Sequence, residues 1–161
     1  MTTTQHYLKL PYRPGVGIML YNDEGKVFVA KRRDMKSEYW QMPQGGIDEG
    51  ESPEDAAFRE LFEETSVKSA EIISKSKIWF YYDLPDYLMT KVWGGKYRGQ
   101  KQLWFLMHFN GKDEEINIET DHPEFTEWRW SDVKDLPNII VPFKKKLYLE
   151  VVEEFKKHLS I

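Results

Sequence analysis

The stretch from Ser52 to Ser66, SPEDAAFRELFEETS, constrains the fold more than any other part of the chain. Ser52 is a good N-cap, Pro53 suits the first helical position, and Glu54 and Asp55 complement the positive end of a helix dipole. At about 100° per residue, Ala57, Phe58, Leu61, Phe62 and Thr65 cover one broad arc, while Glu60, Glu63 and Glu64 cover a separate one. The apolar arc must pack on a sheet. The acidic arc is costly. Carboxylates three and four residues apart repel by a few tenths of a kcal/mol per pair, roughly, and the last turn of a helix prefers cations. Either these acids face open water or something offsets their repulsion.

The flanking segments supply the sheet. VGIMLYNDEGKVFVAKR, Val16 to Arg32, reads as two strands joined by a turn at Asn22 to Lys26. AEIISKSKIWFYYDL and QKQLWFLMHF are each strand-like, rich in β-branched and aromatic residues, and FTEWRW is a further short strand. MPQGGIDEGES is a Gly-rich loop, and PDYLMTKVWGGKYRG an extended loop or hairpin. Phe143, Leu147, Val151, Phe155 and Leu159 recur every four residues and predict an amphipathic C-terminal helix. Strands with a central and a terminal helix point to an α/β sandwich. With no internal repeat or linker, residues 1–161 read as one domain.

Composition removes several function classes. The chain has no cysteine, which excludes disulfides, thiolate zinc sites and a cysteine nucleophile, and fits a reducing cytoplasm. The four histidines lack ligand spacing. A net charge of −4 argues against a protein that coats nucleic acid nonspecifically, but leaves room for a basic patch on a phosphorylated end. The aromatic fraction of 15% leaves rings available for stacking on bases; Trp40, Trp104 and Trp128 read as core or rim packing. The first fifteen residues show no signal-peptide pattern, and no run approaches the ~18 apolar residues of a membrane span. A cytoplasmic protein without an evident obligate protein partner is the expectation.

Clustered carboxylates without cysteine or a histidine pair are hard oxygen ligands, suited to Mg²⁺ or Mn²⁺. A divalent cation would relieve the repulsion between Glu60, Glu63 and Glu64 and would recruit phosphates. Glu51 adds a fourth acid beside the Gly-Gly loop, whose backbone can approach a ligand closely.

With these residues in view, Gly45 to Val67 resembles the Nudix box, G-x5-E-x7-R-E-U-x-E-E-x-G-U, where U is a bulky aliphatic residue. Gly45, Glu51, Arg59, Glu60, Leu61, Glu63, Glu64 and Val67 all fall on motif positions. The final glycine is replaced by Ser66, at a helix end where a left-handed residue is common. A serine there costs about 1 kcal/mol if that conformation is kept. The resemblance implies the Nudix α/β/α sandwich with a mixed central sheet. It implies Glu60, Glu63 and Glu64 as metal ligands, Arg59 orienting a glutamate, and Glu51 as a buried partner for Arg59.

YRPGVGIML, QMPQGGI, GQKQLWFLMHF, HPEFTEWRW and VPFKKKLY resemble the branch of that family containing bacterial RNA 5′-pyrophosphohydrolases and dinucleoside polyphosphate hydrolases. WGGKYRGQKQ is similar to its diadenosine-tetraphosphate hydrolases. By that resemblance Glu124 is a further carboxylate at the site, as metal ligand or general base. Arg13 and Arg32 contact phosphates, with Lys144 or Lys145 clamping the same chain, and Tyr82 and Phe143 sandwich a base. Each has a plainer alternative: Arg32 lies in a surface run KRR, Lys144 and Lys145 flank an apolar stripe, and Tyr82 packs beside Trp79. The implied activity is metal-assisted hydrolysis of a polyphosphate. Triphosphorylated RNA would give monophosphorylated RNA and pyrophosphate, and diadenosine tetraphosphate would give ATP and AMP. The alternative is a non-catalytic module that binds nucleotides or RNA ends.

Overall fold

The structure, a computed structural model, describes residues 8–34 and 38–159. Residues 1–7, which carry part of the signal-peptide reading, lie outside it. Two strands buried on both faces form its spine: β1 (Tyr12–Tyr21), and a partner that arrives much later in the chain. In chain order there follow β2 (Val27–Arg32), β3 (Gln44–Gly46), α1 (Pro53–Thr65), β4 (Ala70–Lys75), β5 (Phe80–Asp83), the short α2 (Asp86–Met89), β6 (Gly99–Phe109), β7 (Phe125–Ser131), the short α3 (Leu136–Ile139) and α4 (Lys145–Phe155).

β1 and β6 run parallel through ten paired positions, from Tyr12↔Gly99 to Tyr21↔His108. A parallel pair needs a long crossover, and the connection from β2 to β5, with α1 inside it, provides one. The seven-stranded mixed sheet has the order β4-β6-β1-β2-β7, with β3 added to β1 and β5 added to β6. The strand period of two divides the core. Val16, Ile18 and Leu20 of β1 with Leu103, Phe105 and Met107 of β6 face α1, meeting Ala56, Ala57 and Leu61. Met19, Trp104 and Leu106 face the opposite side, against Leu147, Tyr148, Val151 and Phe155 of α4. Helices on both faces make the expected α/β/α sandwich.

Four local expectations change. The Gly-rich loop contains a strand: Gly15, Gly17 and their neighbours in β1 pair with Gln44–Gly46, where small residues let two backbones approach. The segment Ala70 to Leu84 is two strands, not one. Ser76 breaks it: its N–H donates to the Trp104 carbonyl (2.8 Å) and its Oγ accepts from the Trp104 N–H (3.0 Å), so a side chain closes the ladder and the chain turns away. Pro85 to Arg98 is not extended: as the long connection of the antiparallel β5–β6 hairpin it forms α2 and a 3₁₀ turn at Val92–Gly95, where Trp93, Gly94 and Gly95 adopt positive φ. The regular part of the terminal helix starts at Lys145, with Phe143 in a preceding 3₁₀ turn.

Candidate active site

The helix α1 does not separate its faces as simple projection suggests. Its buried residues are Ala56, Ala57, Leu61, Glu64 and Thr65, whereas Phe58 and Phe62 are exposed. Ala56, Glu60 and Glu64 follow one another at about 40° steps, so the two acids lie inside the packed arc. The reason is what they meet. β3 passes beneath this arc, and a Cβ on Gly45 would run into the Glu60 carboxyl group. The missing side chain is the slot that admits the acid. Gly46 likewise lies against the Arg13 guanidinium.

Much of the acid repulsion is absorbed within the protein. Arg59 donates to Glu51 through Nε (2.7 Å) and Nη2 (2.9 Å), to Glu60 (2.9 Å), to Glu63 (3.2 Å) and to the Gly46 carbonyl (2.9 Å). The hydrogen bonds from Arg59 hold the Glu51 carboxyl down at about 2, below the ordinary 4.5. Glu51 also caps the loop by accepting from the Asp48 N–H at 3.0 Å. Arg59 thus ties the helix to the strand and loop that carry the glycines.

Glu64 has less relief: the Arg32 charge and the Gln44 backbone favour its charged form, but burial outweighs them. It is 7% exposed, and its Oε2 is buried without a hydrogen-bond partner among the described residues. Burial first, then the charges of Glu60 and Glu124, push its carboxyl well above the ordinary range. Burial also raises Glu60, against the pull of Arg59. Glu63 is exposed and lines an adjoining cleft together with Glu60, Glu64 and Glu124, while Glu124 also stands exposed at the rim of the main cavity. Among the described residues no three His, Asp or Glu side chains stand together as a formed metal site. Arg59 holds Glu60 and Glu63 through one carboxylate oxygen each.

A cavity of about 480 Å³ opens before these acids, with Arg13, Arg32 and Lys144 among its lining residues. Arg32 is held by Asp34 in a two-point pair (2.9 and 2.6 Å) that the sequence reading did not include. Lys144 is 4% exposed; it reaches Gln44 Oε1 at 3.3 Å, and its ammonium lies 4.8 Å over the Tyr82 ring. Burial, then the neighbouring Arg32, pull its pKa down to about 7 from 10.5. Lys145 instead begins α4 exposed, away from the cavity. The helical start places consecutive lysines about 100° apart, and only the first points inward.

The aromatic sandwich is not as expected. Tyr82 and Phe143 both line the cavity, but their centroids are 6.1 Å apart and tilted by 44°. A base between two rings needs about 7 Å and parallel planes, twice the ~3.5 Å carbon contact. As placed, the rings lean on each other, with Phe143 half-buried and Tyr82 6% exposed. Gln44, Gln100, Tyr87 and Trp93 also line the cavity and were not singled out from sequence. The signal for the glutamines was present: two Gln two apart in an apolar strand, Gln100 and Gln102, both buried.

Ser66 keeps the glycine's conformation, with φ 67° and ψ 7°, and its N–H donates to Phe62 O at 2.8 Å. Its hydroxyl donates to the Asn117 carbonyl at 2.9 Å, a bond glycine lacks. The helix therefore ends in the left-handed shape despite the side chain.

No helix of the described residues is long and apolar enough to cross a membrane. The NUDIX domain profile matches residues 11–151. The chain is 54% identical over 154 residues to a protein of Rickettsia bellii called RNA pyrophosphohydrolase, covering 96% of each. It is 57% identical over 149 residues to the protein of the same name from Sphingopyxis alaskensis, covering 91% of this chain and 94% of that one. Among solved structures, a C. elegans Ap4A hydrolase binary complex superposes with a TM-score of 0.66 at 18% identity, over 92% of this chain and 98% of that one. The E. coli dihydroneopterin triphosphate pyrophosphohydrolase gives 0.65 at 18%, over 87% and 95%. At these identities the two structures speak for the fold alone.

Proposed function

The chain belongs to the Nudix family, and on that premise we propose that it is a divalent-metal-dependent pyrophosphohydrolase removing pyrophosphate from 5′-triphosphorylated RNA. The observation that carries this reading is a meeting of opposite charges in one cavity: buried Glu64, with an orphaned Oε2, lines it with Glu60 and Glu124, and so do Arg13, Arg32 and Lys144. We further propose that the whole chain acts as one domain, in the cytoplasm where its RNA substrate is found.

The donor set fits a hard divalent cation, Mg²⁺ or Mn²⁺. Glu60, Glu63, Glu64 and Glu124 offer only oxygen, and the orphaned Glu64 Oε2 is the buried atom most in need of a positive partner. When bound, such a cation polarises phosphate oxygens and lowers the pKa of a water. The chain's own residues do the rest. Arg59 keeps Glu60 and Glu51 in place through its four-way hydrogen bonding. Arg13, Arg32 and Lys144 draw in the triphosphate, offset its charge and hold it in line for attack. Glu124, exposed at the rim, takes a proton from the attacking water. The water oxygen forms the new bond to phosphorus, and the anhydride oxygen between α and β phosphates leaves with pyrophosphate. Phe143, half-buried at the wall, offers its open side to the terminal base.

Wild type and Glu64→Gln are assayed with Mg²⁺ or Mn²⁺ on triphosphorylated RNA and on diadenosine tetraphosphate at matched concentrations. A larger kcat/KM on RNA that vanishes in Glu64→Gln is the expected result. Preference for the dinucleotide would reassign the substrate. An active Glu64→Gln enzyme would sink the assignment, and silence of a folded wild type on both substrates would leave a binding module.

A further inference from the structure

Behind the cavity wall lies a run of buried amides that the hydrolysis scheme above leaves without a role. Gln100, Gln102 and Trp104 alternate along β6 and so share one face of the sheet. Gln102 is fully buried and does not reach the cavity, whereas Gln100 and Gln44 line it.

These side chains are linked in a definite direction. The Trp104 indole N–H donates to Gln102 Oε1 at 3.0 Å. An indole can only donate, so this bond fixes which end of the Gln102 amide is its carbonyl. The Gln102 NH₂ group is turned the other way, donating to Gln100 Oε1 (2.7 Å) and Gln44 Oε1 (3.2 Å). Those two carbonyls then accept from outside the run: Gln100 from the Tyr82 hydroxyl (3.3 Å), and Gln44 from the Lys144 ammonium (3.3 Å). Reversing Gln102 would set its NH₂ against the indole N–H and its carbonyl against two others. Gln44 would have to reverse in turn, presenting its own NH₂ to an ammonium, which has donors only. The core tryptophan therefore decides that Lys144 meets an acceptor.

We propose that Gln102 and Trp104 are positioning residues for Lys144: the indole N–H sets the direction of a buried amide relay whose far end holds the ammonium at the cavity wall. The proposal rests on reading the cavity as a polyphosphate site. It predicts that Gln102 affects phosphate binding only through Lys144.

The test is a double-mutant cycle. Gln102→Met, close in volume but without the amide, is made in wild type and in Lys144→Met. Inorganic tripolyphosphate affinity is measured by calorimetry, alongside kcat and KM on triphosphorylated RNA. In wild type, Gln102→Met should weaken tripolyphosphate binding about fivefold to tenfold and raise KM in step with little change in kcat. In Lys144→Met the same substitution should cost less than twofold. Trp104→Phe, which keeps an aromatic ring and removes the N–H, should repeat the pattern, and it carries the test if Gln102→Met fails to fold. Equal losses in both backgrounds would mean general loosening of the core and overturn the relay, as would no loss in wild type. A wild type that binds no tripolyphosphate would refute the polyphosphate reading itself, a result distinct from binding that ignores Gln102.

Discussion

Replacing Lys144 by methionine should make the metal-free protein more stable and the enzyme worse. Lys144 is 4% exposed, and its pKa sits at about 7 against an ordinary 10.5. At about 1.36 kcal/mol per unit, that depression caps the cost of the buried ammonium near 5 kcal/mol. Part of this is returned in the variant: Gln44 loses a donor, although Gln102 still bonds it at 3.2 Å, and the contact over the Tyr82 ring is lost. A net gain of about 2–3 kcal/mol follows, which for a chain of this size is about 4–12 °C in Tm. Because the folded pKa lies below the unfolded one, the unfolded chain binds more protons between pH 7 and 10.5, and wild-type stability climbs with pH across that window. The variant's advantage is thus largest at or below pH 7 and fades toward pH 10.5. Urea denaturation of both proteins in a chelator at several pH values across that window measures it directly. A variant that is no more stable at neutral pH, or an advantage that does not change with pH, would refute the reasoning. Activity should move the other way, with kcat/KM on a polyphosphate substrate falling about tenfold to a hundredfold for loss of one charged contact, about 1.4–3 kcal/mol.

Other perturbations probe separate parts of the site. Glu51, held at about 2 by Arg59, contributes stability that is present above its unfolded value of 4.5 and lost as pH falls toward 2; Glu51→Gln should abolish that contribution, so its stability deficit measured by acid titration shrinks over the same range. Gly45→Ala places a methyl group where the Glu60 carboxyl lies, so Glu60 must move; we expect a higher Mg²⁺ requirement for half-maximal turnover, and an unchanged metal titration would contradict the slot. Ser66→Gly relieves about 1 kcal/mol of left-handed strain but loses the bond to Asn117, worth about 0.5–1.5 kcal/mol, and should be neutral within about 0.5 kcal/mol. Ser66→Ala keeps the strain and loses the bond, so it should destabilise by about 1 kcal/mol in the same denaturation assay.

What the sequence determined by itself was whatever local physics repeats with a period or a fixed spacing. The runs of β-branched, apolar and aromatic residues in β1 and β6, the four-residue recurrence of α4, and the capped start of α1 placed sheet and helices correctly. The spacing of Glu51, Arg59, Glu60, Glu63 and Glu64 identified the family, and the Arg59–Glu51 partnership followed from it. Tertiary structure decided the rest, because it depends on what lies opposite each residue. Projection put Phe58 and Phe62 inside and Glu60 and Glu64 outside; the fold instead exposes both rings, buries Glu64, and seats Glu60 over Gly45, where an acid fits because a side chain is missing. Two neighbouring lysines looked interchangeable until the start of α4 turned one inward and left the other in water. Gln44 and Gln102 are far apart in the chain, and no spacing announces that they meet; only the parallel pairing of β1 with β6, and of β3 with β1, brings their amides within a hydrogen bond. A chain's periodicities choose its layers, but burial and long-range pairing choose which polar groups are left facing a substrate.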